Sequence, residues 1–526
     1  MEERLSATMR VATYAPAVLM IPLLILLGAG YIDEFSHDGV YYLRLAHYYR
    51  EGNYSLALSG LWSPLFPWLI WAGSMVFDNL IQAAHLAAGL SAWLFWLGTT
   101  LVCRNLGLRD IDLLLASGVA MAFGLVWAEL LTPDILVAGL LALGLAVALA
   151  RTWISGRFCP TLSGVLLALA YLSKAVALPI SVMLLLLVAA RSLRLGNDFG
   201  RVAMATVYTA IGFAVVALPW VVALSAHHER PTFSNSGAIN HAIRGPSPGN
   251  RNLYQIIENV QPEAGRISAF EDPSNLNYRQ WSPFANLEYF KFQLRKAYWN
   301  SYTALSLLRR MDLLGLGLAG LLIGLVCVAA GGRQLEQPPW QWSAFFVAAV
   351  VMFYVPVWAS EFRYYFPVYP LCLAAALAAF RLLSTLLDLG AGRRAAVAAV
   401  VALSFFAAIG PGSRDLIRER EQYRAGRALS EVVAGMPAVR TLWVDGTAYE
   451  AGVFAAFLLD IPVILLPEAA SERTIPRPAE SVVVTARGAA DDESAAPRWR
   501  PGGFSAASSV ALDEKHVLEI WTPGTR

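Results

Sequence analysis

A helix needs about 20 apolar residues to cross a bilayer, and this chain offers such stretches repeatedly. Residues 11–32 carry no charge. Further candidate spans follow at 79–103, 111–130, 134–154, 161–174, 176–193, 202–226, 312–331, 341–359, 364–386 and 395–411. The pair 161–174 and 176–193 also reads as one long bent helix, and 64–77 as a re-entrant or interfacial piece. Backbone groups in hydrocarbon must be satisfied internally, which favours helices. The expectation is an α-helical polytopic membrane protein with about 11 spans.

Charge supports this division. Residues 1–411 hold 49 Asp, Glu, Lys and Arg, whereas the 115 residues of 412–526 hold 29. The tail therefore has a soluble composition (about a quarter charged), and strand-like runs at 439–444, 462–466 and 481–485 flanking a helical run at 450–459 suggest a small α/β domain. The expected domains are a transmembrane body at 1–411 and an extracytoplasmic domain at 412–526. A net charge of +2 provides no basic field for nucleic acid. Cys103, Cys159, Cys327 and Cys372 show no zinc-type spacing and no disulfide framework. Four lysines against 36 arginines suggest a GC-rich bacterial source.

Orientation follows from basic residues near span ends. With the N-terminus inside, Arg4, Arg10, Arg104, Arg109, Arg151, Arg157, Arg191, Arg194, Arg201, Arg333, Arg393 and Arg394 fall inside. Asp33, Glu34, Asp38, Glu129, Asp134 and Glu361 fall outside, with Arg309 and Arg310 as exceptions. The expected location is the bacterial inner membrane, with the tail on the extracytoplasmic side. Two outer segments, 33–63 and 227–311, are too long to be mere connectors.

In the first outer loop, Tyr41, Tyr42, Leu45, Tyr48 and Tyr49 follow Asp38 at helical spacing. They suggest an interfacial helix at the headgroups, with Asp38 at its start. Asp38 is either a simple cap or a general base at the membrane surface. Lys174 is the one lysine within the candidate apolar spans and reads as a site residue or as a snorkelling chain. Arg363, beside Tyr364 and Tyr365, reads as a phosphate fork, an interfacial anchor or a partner for Glu361. Glu129 and Asp134 flank Thr132-Pro133 and orient an acceptor, hold a cation or form a charged turn. His227, His228 and Glu229 make a weak divalent-metal candidate, with His241 as an added ligand, against ordinary loop polarity. Residues 278–299 have the aromatic and basic mix of a second headgroup-level helix or of a packed loop resting on the membrane.

The run DGVYYLRLA (38–46), then SPLFPWLIW (63–71), resembles the first outer loop of polytopic GT-C glycosyltransferases. It is most similar to the branch holding protein O-mannosyltransferases and the lipid A aminoarabinose transferase, a family 39-like group. The resemblance also covers Thr132-Pro133-Asp134, Leu172-Ser173-Lys174 and 361–367. Such sequences often carry an Asp-Glu pair in this loop, so Asp33 and Glu34 are alternative bases, although helix register favours Asp38. The resemblance implies a polyprenyl-phosphate sugar as donor and a protein, lipid or glycan acceptor. Transfer would be an inverting single displacement, with Lys174, Arg363, Tyr364 and Tyr365 at the donor phosphate. Two alternatives are a transporter or flippase, and a GT-C polymerase or ligase using a diphosphate-linked glycan.

Overall fold

The structure is a computed structural model. It describes residues 2–30, 36–246, 257, 259–276, 280–330, 339–436, 438–466, 480–488, 504–512 and 516–523. Asp33 and Glu34 lie outside the described residues.

Among the described residues, seven helices are long and apolar enough to cross a membrane, and five shorter apolar helices accompany them. Burial separates an inner from an outer set. The most apolar windows of Phe362–Leu386, Leu80–Asn105 and Asp110–Ala128 are 72%, 61% and 61% buried, whereas those of Phe199–His227 and Ala7–Gly30 are 28% and 17% buried. Val207, Ile211, Val215, Leu218 and Val222 stand exposed along Phe199–His227. In a membrane such a face meets lipid tails, so helix association there relies on close packing by small residues. A Cβ on Gly164 would lie 2.0 Å from the Thr209 carbonyl oxygen, and one on Gly212 2.3 Å from that of Thr161. Helices Phe158–Ser173 and Phe199–His227 are thereby locked backbone to backbone.

The stretch 161–193 forms two helices, Phe158–Ser173 and Ala177–Arg194. They break at Lys174, whose backbone is extended at φ −157°, ψ 125°. Leu65–Gly73 is only nine residues long and ends at Ser74, with Pro64 before it and Pro67 within it.

The helix after Asp38 runs from His37 to Arg50. Ser36 caps it, its hydroxyl accepting from Gly39 N, so Asp38 is the second helical residue and not the cap. The tyrosine face of this helix is not laid bare, as an interfacial helix would require, since most of the helix is covered by protein. Val40, Tyr41, Leu43, Leu45 and Ala46 are all buried, because the second outer loop and the tail fold over the helix. Tyr41 stacks on Trp62 with centroids 5.2 Å apart. Tyr48 donates to Glu271 Oε2 at 2.6 Å. Arg44 reaches Asp460 Oδ1 at 2.7 Å and donates to the Gly265 carbonyl at 3.2 Å. Burial pushes the Glu271 carboxyl up, against the pull of Arg44, Tyr48 and Arg266.

The tail forms a five-stranded sheet in the order β2-β1-β3-β5-β4, with β1 Thr441–Val444, β2 Val463–Leu465, β3 Ser481–Gly488, β4 Phe504–Ala511 and β5 His516–Pro523. β1 is parallel to β2 and β3, while β5 is antiparallel to β3 and β4. Helix Tyr449–Leu459 is the β1–β2 crossover, and helix Ile409–Ala434 carries the chain into the tail. Val463 N donates to the Ile267 carbonyl at 2.8 Å, which docks the sheet on the second loop.

Candidate active site

Segments from distant parts of the chain together line a cavity of about 710 Å³. The helix His37–Arg50 brings Asp38 to it, anchored where Ser36 N donates to the Leu130 carbonyl at 3.1 Å. That bond fixes Asp38 against the 129–134 turn. Leu131 in this turn holds φ 53°, a left-handed conformation that costs a non-glycine residue about 1–3 kcal/mol. The turn ends with Asp134 at the first position of helix Asp134–Leu149, facing the cavity. Lys174, at the break after Ser173, lies opposite. Arg363 enters on the short 3-10 helix Phe362–Val368, and the tail closes the rim with Asp415, Arg418, Glu419 and Glu450.

The charges are paired. Arg363 Nη2 donates to Asp38 Oδ2 at 2.5 Å, and Lys174 Nζ donates to Asp134 Oδ1 at 2.5 Å. Tyr364 lies between the pairs. Its ring has Lys174 Nζ 4.3 Å from its centroid and Arg363 Cζ 5.9 Å away, which favours both cations. Tyr354 stacks on Tyr364 at 5.2 Å, 8° from parallel. Burial alone would raise the Asp38 carboxyl, but Arg363, His37 and Lys174 hold it below the usual carboxylate range. Burial lowers the His37 imidazole, whose Nε2 pairs with the Tyr41 hydroxyl at 3.3 Å.

These two acid–base pairs, on the wall of a cavity large enough for a sugar, sit in a fold that can be matched. The chain aligns with the crystal structure of ArnT from Cupriavidus metallidurans bound to undecaprenyl phosphate at 15% identity and TM-score 0.52, over 96% of this chain and 98% of that one. The apo structure of the same ArnT aligns at 14% identity and TM-score 0.54, over 96% and 97%. The fold is GT-C. No family model matches the chain, and neither does any curated protein.

Within this GT-C fold, Asp38, Asp134, Lys174, Arg363 and Tyr364 share one cavity. Tyr365 does not join them. Neighbouring residues on a tight helix diverge, and Tyr365 is fully buried with its hydroxyl donating to the Ala359 carbonyl at 3.0 Å. Glu129 also turns away, into a buried pair with His85 Nδ1 at 3.1 Å. Glu229 is exposed at φ 53°, and His241 stacks on Trp281 at 4.3 Å. Asp272 instead approaches His227 and His228. Arg244 lies 3.4 Å over the Trp358 ring on the cavity wall. The sequence contains no motif that pointed to Arg244, Asp272 or the tail residues at the rim.

Proposed function

We propose that the chain is an integral-membrane glycosyltransferase. It moves one sugar from a polyprenyl-phosphate donor to an acceptor hydroxyl at the extracytoplasmic face of the bacterial inner membrane. The observation that carries this reading is the Asp38–Arg363 pair beside the Asp134–Lys174 pair in a single cavity. The GT-C fold, shared with an ArnT crystallised with undecaprenyl phosphate, supports the donor class. Residues 1–411 form the membrane body in this reading, and 412–526 form the outer domain that walls the site.

The acceptor oxygen attacks the anomeric carbon as the bond from that carbon to the phosphate oxygen breaks. The acceptor proton passes to Asp38, and the lipid phosphate leaves with the bonding electrons, inverting the anomeric centre. Negative charge grows on the phosphate, where Arg363 and Lys174 meet it. As the donor phosphate draws the Arg363 guanidinium, Asp38 loses its partner and becomes a better base. Ground-state pairing thus guards the carboxylate until the donor arrives.

The test uses purified full-length protein in nanodiscs, given polyprenyl-monophosphate sugars and polyprenyl-diphosphate glycans in parallel. Release of free polyprenyl phosphate, read by mass spectrometry, from monophosphate donors alone is the expected result. Turnover of diphosphate donors alone, or solute uptake into vesicles without transfer, would refute it.

A further inference from the structure

The second outer loop returns to the top of helix Phe199–His227 at a buried cluster separate from the acid–base pairs. Asp272 has a side chain only 1% exposed. Its Oδ1 accepts from Gly60 N at 3.2 Å and from Ser274 N at 3.3 Å. Its Oδ2 is buried and makes no hydrogen bond, and it faces His227 Nε2 at 4.0 Å. His228 Nε2 is likewise buried and unpartnered. A desolvated polar atom with no partner costs roughly 1–3 kcal/mol. Asp272 Oδ2 is an acceptor, and His228 Nε2 is one in its Nδ1–H tautomer, so the two unpartnered atoms in this group point to a missing electrophile. Among the described residues, this is the one group of three His, Cys, Asp or Glu side chains whose ligand atoms all lie within 4.8 Å of one another.

We propose that His227, His228 and Asp272 bind a zinc ion that staples the second outer loop to the head of helix Phe199–His227. Two imidazole nitrogens and one carboxylate oxygen form a borderline-soft donor set that suits Zn²⁺ and leaves its fourth position to water. Zinc ligands at about 2.0–2.2 Å lie roughly 3.3 Å apart. The observed separations therefore close by about 1 Å when the ion enters, within reach of rotation by the two half-buried imidazoles. Asp272 is already held by its Oδ1 bonds to the first and second loops, so the carboxylate is oriented before binding. Phe270, two residues earlier, lines the cavity and accepts from Trp62 Nε1 at 2.9 Å. The ion thus fixes one wall of the cavity without touching the reacting groups. This goes beyond the transferase reading and does not depend on it.

Full-length protein in detergent is stripped with EDTA, desalted and titrated with ZnCl₂ by calorimetry, with bound metal measured by mass spectrometry. Wild type is expected to take up one equivalent and to show a higher Tm with zinc. Asp272→Asn keeps an oxygen for Gly60 and Ser274, so it preserves the local fold. Asp272→Asn and His228→Gln should each bind zinc about 100-fold more weakly and show no zinc-dependent Tm, a loss at least as large as that for groups that merely orient a metal ligand. Absence of saturable zinc binding in wild type, or equal affinity in both variants, would overturn the site.

Discussion

Asp38→Asn separates the two roles that the Asp38–Arg363 contact combines. The substitution keeps shape but removes the charge and the basicity. A positioned base contributes about 10²–10⁴ in rate, so sugar transfer should fall by that factor. Binding of the lipid phosphate should move in the opposite direction. The pair is 2.5 Å long, with side chains 20% and 23% exposed, and a hydrogen bond to a charged group contributes about 1.5–3 kcal/mol. Asparagine still accepts a bond from the charged guanidinium but removes the ion-pair attraction, which is worth about 1 kcal/mol for a partly exposed pair. Roughly 1 kcal/mol of competition for Arg363 therefore disappears, and polyprenyl phosphate should bind about fivefold tighter. Turnover by mass spectrometry and affinity by thermophoresis, on the same nanodisc preparation, read both effects. A variant that retains more than about a tenth of the rate, or that binds the lipid phosphate more weakly than wild type, would refute the reasoning.

Other consequences follow from the same geometry. Lys174→Met strands Asp134, whose side chain is 4% exposed. It should cost about 3 kcal/mol, visible as a lower unfolding midpoint that Lys174→Met/Asp134→Leu largely restores. The proposed mechanism requires ionised Asp38, so activity should be lost as pH falls through its pKa. The acid limb of kcat/KM, which reports the free enzyme, should lie below the usual carboxylate range, and that of kcat should lie higher because the donor has drawn Arg363 away. Gly164→Val drives a side chain into the Thr209 carbonyl and should cost about 3 kcal/mol or prevent folding, measured by thermal unfolding in detergent. Arg44→Met removes the ties to Asp460 and Gly265 and takes away one of the two cations beside Glu271. It should loosen the tail, read as faster hydrogen exchange in Tyr449–Leu459.

The membrane body was legible because lipid imposes one rule on every span, and apolar length alone satisfies it. The small α/β tail was legible for its first three strands, whose runs of Val, Ile and Leu are dense. β4, FSAASSVA, was not, because small and hydroxyl residues carry no alternation. It is placed by pairing with β5. Asp38, Asp134, Lys174 and Arg363 stood out as charges beside apolar segments. Their pairing is a property of three-dimensional closure that no spacing encodes. The Tyr-rich helix misled for a related reason. Four tyrosines on a short helix read as an amphipathic interface, yet Tyr41, Tyr42 and Tyr48 are buried under Trp62, Phe270 and the Gly265–Glu271 stretch while Tyr49 is half-buried, and a covering segment distant in sequence leaves no local trace. Asp272, 44 residues after His228, escaped for the same reason.

A cryo-EM structure of the full-length protein with polyprenyl phosphate bound tests the central claim most directly. The account predicts the phosphate held by Arg363 and Lys174, with Asp38 parted from Arg363 and open toward the place of the sugar. A phosphate seated elsewhere, with the Asp38–Arg363 pair intact, would contradict it.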